Sequence, residues 1–140
     1  GLDSIDTDLQ SEILMYEPMV IIPSALKKIT WKKGQDLDVI SIEDHSGAWR
    51  SFGDEVTKLG IHREVAMESF FSVAQLAIAG FGHALVPIGV ARTLGVSEQN
   101  FLNLGDHGLN RPVRFVARKS TYSLPVVMNF FNALQGYLKT

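Results

Sequence analysis

Two short turns carry polar and aromatic side chains whose types and spacing could bind a small molecule. The first is His45-Ser46-Gly47-Ala48-Trp49, where an apolar run ends and a helical pattern begins. Backbone amides at the start of a helix form an anion site, Ser46 can donate a hydroxyl, and Trp49 can wall the pocket. Plain helix capping explains the same residues, so the pattern alone leaves both interpretations open.

The second turn, Glu68-Ser69-Phe70, follows the apolar run Val65-Ala66-Met67, which is long enough for a buried strand. Ser69 is predicted to cap a helix whose apolar face comprises Phe70, Val73, Ala74, Ala77 and Ile78. A second buried strand, Ala84–Val86, follows. Such a strand–helix–strand unit indicates a crossover in a largely parallel sheet, whose ligands bind at the carboxyl ends of the strands.

Other chemistries find little support in the residues. The 4 histidines have no ligand spacing and there are no cysteines, so we predict neither a metal site nor a cofactor. Gly80-Phe81-Gly82 follows a helix, the reverse of a dinucleotide-binding turn. Adjacent Glu43 and Asp44 would point to opposite faces of a strand. We therefore predict no catalytic residues and no enzyme.

The amino-acid composition limits the classes of protein to which the chain can belong. The chain has 140 residues, with 46% hydrophobic and 20% charged residues, as expected for one globular domain. A net charge of −2 argues against a nucleic-acid-binding surface, and no apolar run approaches the length of a membrane span. The polar, acidic N-terminus is not a secretory signal, and the lack of cysteine permits a reducing cytoplasm.

The order of the predicted elements is typical of an α/β fold. Strand-like Glu12–Ile22 is followed by a short strand, a helix containing Trp49, Phe52 and Val56, and the strand–helix–strand unit. A returning strand at Val113–Ala117 and a C-terminal helix capped by Ser123 complete the chain.

At Ala77–Arg92 (AIAGFGHALVPIGVAR) the chain resembles the effector-binding domain of LysR-type transcriptional regulators. Leu14–Leu26, Gly34–Asp44, His45–Ile61 and Arg111–Leu138 are similar to further segments of that family, in the family's order. The resemblance therefore covers almost the whole chain.

The resemblance implies a periplasmic-binding-protein-like (type II) α/β fold, with one complete subdomain and part of a second. Residues 22–108 would be the complete second subdomain, and residues 1–21 and 109–140 the later part of the first. The family's winged helix-turn-helix and the opening of the first subdomain have no counterpart in the sequence. We therefore expect part of a regulator.

The resemblance also implies a small-molecule effector site between the subdomains, with Lys119 contributed by the first. The predicted effector-binding residues are Ser46, Gly47, Ala48, Trp49, Glu68, Ser69, Phe70 and Lys119.

The leading hypothesis is an effector-sensing regulatory domain that meets DNA only through an N-terminal domain absent here. We expect an anionic or polar effector, a homo-oligomer, a cytoplasmic location and no membrane contact. The alternative is a solute-binding protein or a small enzyme on the same fold, in which Glu68 and His45 would be the plausible titratable groups. The sequence upstream of Gly1 would discriminate between them.

Overall fold

The structure is a computed structural model that describes residues 8–122 and 124–139, and it has the predicted α/β character. The strands are β1 Leu9–Ile22, β2 Leu37–Ile42, β3 Ile61–Met67, β4 His83–Pro87, β5 Leu102–Asn103 and β6 Asn110–Arg118. The helices are α1 Ala48–Lys58, α2 Phe70–Ile78, α3 Ile88–Thr93, α4 Lys119–Tyr122 and α5 Pro125–Lys139. The cap predicted at Ser123 lies outside the described residues.

The chain divides into two compact units. The first consists of the described parts of residues 1–16 and 112–140, and the second is Glu17–Arg111. The chain passes between the units twice, within β1 and within β6.

The sheet order is β3-β2-β4-β1-β5, and β6 also pairs with β1. β2 runs parallel to both β3 and β4, whereas β1 is antiparallel to β4 and β5. The predicted parallel crossover is therefore confirmed. β3 and β4 are not neighbours, because the helical connection α2 carries the chain from one side of β2 to the other.

Apolar side chains of the second unit cover both faces of its sheet. Side chains alternate across a strand, so Val20 and Ile22 of β1 join the core beneath α2 and α3, while Met19 and Ile21 join the core beneath α1. Ala84, Leu85 and Val86 are fully buried, which confirms the strand predicted there.

The prediction of a buried strand at Val65-Ala66-Met67 is wrong in one respect. The strand exists, but it lies at the edge of the sheet, where Val65 keeps 46% of its surface exposed and Ala66 is also exposed. An edge strand has a neighbour on one side only, so an apolar run does not guarantee burial.

The first unit has its own small core, in which Leu14 and Met15 pack with Val113, Phe115, Ala117, Met128 and Leu134. Residues 119–122 form the short helix α4. The backbone N–H of Lys119 donates to the carbonyl of Asp8 at 2.7 Å and ties the start of this helix to the residue before β1. Among the described residues, no helix is both long and apolar enough to cross a membrane.

Candidate functional site

The structure brings the two predicted turns together at the edge of the sheet where its parallel strands end. Ile42, the last residue of β2, pairs with Met67, the last residue of β3. One step further on, the backbone N–H of Glu43 donates to the carbonyl of Met67 at 2.8 Å. The starts of α1 and α2 therefore lie side by side, as expected for neighbouring parallel strands that each lead into a helix.

The first turn leads into α1 through a glycine, which provides no side-chain cap. A 3-10 turn at Asp44–Ser46 is followed by Gly47, whose φ of 75° is in the left-handed region, and α1 begins at Ala48. Gly47 has no side chain to accept a hydrogen bond from the helix, and the first turn of α1 contains no acidic residue. Neither the N-cap residue nor an acidic residue of the first turn of α1 therefore balances the dipole at this end of the helix.

Trp49 lies half-buried along the first turns of α1. Its ring meets Phe52 edge to face at 5.5 Å. A Cβ atom added to Gly53 would come within 2.6 Å of the indole Nε1, so glycine at this position is what lets the indole lie against the helix. Trp49 can therefore form one wall of a pocket at this turn.

Arg63 fixes this turn from the neighbouring strand, and sequence reasoning missed it. Its guanidinium donates from Nη1 to the carbonyl of Ile42 at 2.6 Å and from Nη2 to Asp44 Oδ1 at 2.5 Å. The same group lies 4.1 Å from the centre of the Trp49 ring, a cation–π contact. One half-buried cation thus ties the end of β2, the 3-10 turn and the indole together.

Arg63→Gln is expected to lower the free energy of unfolding by about 1–2 kcal/mol, since charge-assisted hydrogen bonds and the cation–π contact are lost. Trp49 should become more mobile, with a red-shifted emission. Urea unfolding followed by tryptophan fluorescence measures both effects. The matched control is Arg92→Gln, which removes a pair with Glu98 in which both side chains are more than half exposed, and should cost less than about 1 kcal/mol. Equal costs for the two variants would contradict the role assigned to Arg63.

The second turn is capped by its own serine. The side chain of Ser69 accepts a hydrogen bond from the backbone N–H of Phe71 at 3.2 Å, which confirms the predicted N-cap of α2. Glu68 is exposed, and Phe70 is half-buried between the two core clusters of the second unit. This turn therefore offers an exposed carboxylate and an aromatic edge.

Ser69→Ala is expected to destabilise the second unit by about 1 kcal/mol, because the N–H of Phe71 loses its partner. Thermal unfolding followed by circular dichroism measures the change. Ser51→Ala is the control, since the Ser51 hydroxyl donates to the carbonyl of Ala48 within α1 and does not cap the helix. That change should be neutral or slightly stabilising, because alanine favours the helix. A loss of similar size in both variants would mean that Ser69 does not act as a cap.

An ion pair next to Phe70 was also missed. Arg111 donates from Nε and Nη2 to Glu17 Oε1, each at 3.1 Å, while Glu17 Oε2 accepts from the backbone N–H of Gly89 at 2.8 Å. The guanidinium lies 5.7 Å from the centre of the Phe70 ring. The pair joins β1, β6 and the start of α3 to the second turn.

Lys119 is the one predicted site residue that belongs to the first unit. It is exposed and begins α4. Ser46, in the first of the two predicted turns, is the last residue of the 3-10 helix Asp44–Ser46. In the described part of the chain, no group of three or more histidine, aspartate or glutamate side chains is placed to hold a metal ion.

Neighbouring parallel strands that each lead into a helix are typical of α/β domains, and the ends of such strands are a common position for small-molecule binding. Residues 1–139 match the model of the family described as the LysR substrate binding domain. The chain therefore belongs to this family, whose members are effector-sensing regulatory domains with the periplasmic-binding-protein-like type II fold. Such domains of transcription factors are typically not enzymes.

Individual relatives agree with the family. An uncharacterized HTH-type transcriptional regulator of Vibrio cholerae is 36% identical over 80 residues, which are 55% of this chain and 27% of that protein. The regulatory domain of CcmR from Synechocystis PCC6803, solved in complex with 2-PG, has a TM-score of 0.61 at 14% identity, over 93% of this chain and 67% of that one. The sulfate-bound regulatory domain of an OxyR2 mutant from Vibrio vulnificus has a TM-score of 0.60 at 19% identity, over 94% and 66%. These structural similarities show a shared fold.

Proposed function

We propose that this domain binds a small effector at the two turns of its second unit and that binding regulates transcription through a DNA-binding domain of the same regulator. The observation that carries the proposal is the pairing of Ile42 with Met67, which sets the turns Ser46–Trp49 and Glu68–Phe70 side by side. Membership of the LysR substrate binding domain family supports it.

The charges around the turns favour an effector with an anionic group. The N-cap of α1 is a glycine without a capping side chain, and Arg63 places a cation against Trp49. Both features attract an anion. The OxyR2 domain of the same fold was solved with sulfate, which agrees with this preference.

The carboxylates of the site add a second requirement. Asp44 partly balances the charge of Arg63, and Glu68 is exposed at the second turn. Carboxylates accept hydrogen bonds but do not donate them. An effector that combines an anionic group with a hydroxyl or amino donor would therefore satisfy both turns.

Binding rather than catalysis is the role that we assign to the site, and nothing in the described residues favours a solute-binding or enzymatic alternative. The regulator would act in the cytoplasm as a homo-oligomer. The effector would shift the equilibrium between two arrangements of the subdomains, and the size of this shift is limited by the difference between its affinities for the two arrangements. Light scattering after size exclusion would determine the oligomeric state.

The experiment is a panel of small anions, namely sulfate, glycolate and malonate, added to the full chain while tryptophan emission and melting temperature are recorded. Choline serves as the cationic control. At least one anion is expected to raise the melting temperature and change the emission of Trp49. Ser46→Trp should abolish the melting-temperature shift, whereas Ser51→Trp, at an exposed position of α1, should preserve it. A shift that Ser46→Trp leaves intact would contradict the site.

A further inference from the structure

A cavity opens at the end of the same sheet that lies opposite the two turns. It has a volume of about 160 Å³. Its apolar lining includes Pro23, Leu26 and Phe101, and its polar lining consists of Lys28, Gln99 and Asn100. Nothing in the function proposed above uses these residues.

The position of the cavity separates it from the two turns. Pro23 follows the last residue of β1, and the backbone N–H of the next residue, Ser24, donates to His83 Nδ1 at 3.0 Å. Because His83 begins β4, this is the edge where the parallel strands start. A strand of five or six residues spans roughly 15 Å, so a ligand in this cavity would not contact the turns at the other edge.

The loop that forms one wall is held in an unfavourable conformation. Ala25 and Leu26 are consecutive residues with φ of 55° and 57°, in the left-handed region that non-glycine residues rarely occupy. In this region the Cβ atom of an L-residue crowds a carbonyl oxygen, so both residues are strained. The conformation places Leu26 against the core and in the wall of the cavity. Strain of this kind is often kept where a ligand is held.

The residues that line the cavity indicate the chemical class of ligand that it would bind. Lys28 supplies an ammonium group, Gln99 and Asn100 supply side-chain amides, and no aspartate or glutamate lines the cavity among the described residues. The whole of this open cavity is comparable in volume to a buried cavity of about 150 Å³ that accommodates benzene. We propose that this cavity is a second small-molecule site, for a monocarboxylic acid with a ring-sized apolar body.

The test uses benzoate as the probe and benzamide as its uncharged analogue, with amide shifts of the full ¹⁵N-labelled chain as the readout. Benzoate should give saturable shifts in the amides of residues 24–29 and 99–102. Benzamide should bind at least tenfold more weakly, because it lacks the charge that Lys28 recognises. Lys28→Met should weaken benzoate at least tenfold, whereas the neighbouring exposed Lys27, which does not line the cavity, should tolerate the same change.

Several results would overturn the proposal. These are the absence of saturable shifts up to about 50 mM benzoate, equal binding of benzamide, or an equal loss of affinity in Lys27→Met and Lys28→Met. Shifts confined to residues 46–49 and 68–70 would also overturn it, and would assign benzoate to the effector turns instead. Shifts at the cavity with none at the turns would support the second site and would not bear on the effector site proposed above.

Discussion

Phe52→Ala is expected to lower the free energy of unfolding by about 3–5 kcal/mol, the usual cost of deleting a buried aromatic ring. Phe52 is 2% exposed and belongs to the core that packs α1 on the sheet. Its ring also supports Trp49 from below, at 5.5 Å. The variant should therefore disturb the first turn as well as the core. Urea unfolding followed by the fluorescence of Trp31 and Trp49, both in the second unit, measures the loss.

The matched control is Phe71→Ala. Phe71 is 45% exposed on α2, so truncating it leaves no comparable cavity and should cost less than about 1 kcal/mol. If Phe52→Ala cost as little as this control, α1 would not be held to the sheet as described.

Glu17→Ala is expected to cost about 2–4 kcal/mol. The change leaves the Arg111 guanidinium without its counter-charge and the N–H of Gly89 without its acceptor. The side chains of Glu17 and Arg111 are 13% and 30% exposed, so the cost should lie between that of a surface pair and that of a fully buried one. Urea unfolding measures it, with Glu64→Ala, an exposed position of β3, as a control that should change stability by less than about 0.5 kcal/mol.

A double-mutant cycle separates the ion pair from its surroundings. Glu17→Ala combined with Arg111→Ala should cost less than the sum of the single changes, because the second change removes the charge that the first left unpaired. Additive costs would show that the two side chains do not interact. The free energy of unfolding of Glu17→Gln should lie between those of the wild type and Glu17→Ala, since an amide oxygen can still accept a hydrogen bond from the N–H of Gly89.

The local patterns predicted much of the fold because they report local physics. The spacing of apolar residues in α1 and α2 follows the helical period, and the N-cap at Ser69 is a property of residues close in sequence. The two turns could be placed at one edge because parallel strands end together. The resemblance to the LysR family, confirmed by the family match, supplied the rest of the fold.

The features that were missed depend on contacts far apart in the sequence. Arg63 meets Asp44 across 19 residues, and Arg111 meets Glu17 across 94. No local pattern pairs these charges, since the register of the sheet brings them together. The exposure of Val65 has the same origin, because its apolar run does not reveal that β3 is an edge strand.

The effector-binding role of the predicted residues stays a prediction. Their positions in the structure indicate which of them should be tested first. Ser46–Trp49 and Glu68–Phe70 share one edge of the second unit, whereas Lys119 lies in the first unit. The N-cap residue of α1 is Gly47, which has no capping side chain, while Ser69 caps α2. We therefore expect the amides of the first turn to contact the anionic group of the effector.

The most direct test of this account is a titration of the ¹⁵N-labelled chain with sodium sulfate, against sodium chloride at the same ionic strength. We predict saturable shifts of the amides of Gly47, Ala48 and Trp49, with smaller shifts from Ser69 to Phe71. Shifts that do not saturate, or that are centred on the lysine-rich loop at residues 27–33 and leave residues 47–49 unchanged, would contradict an anion site at the start of α1.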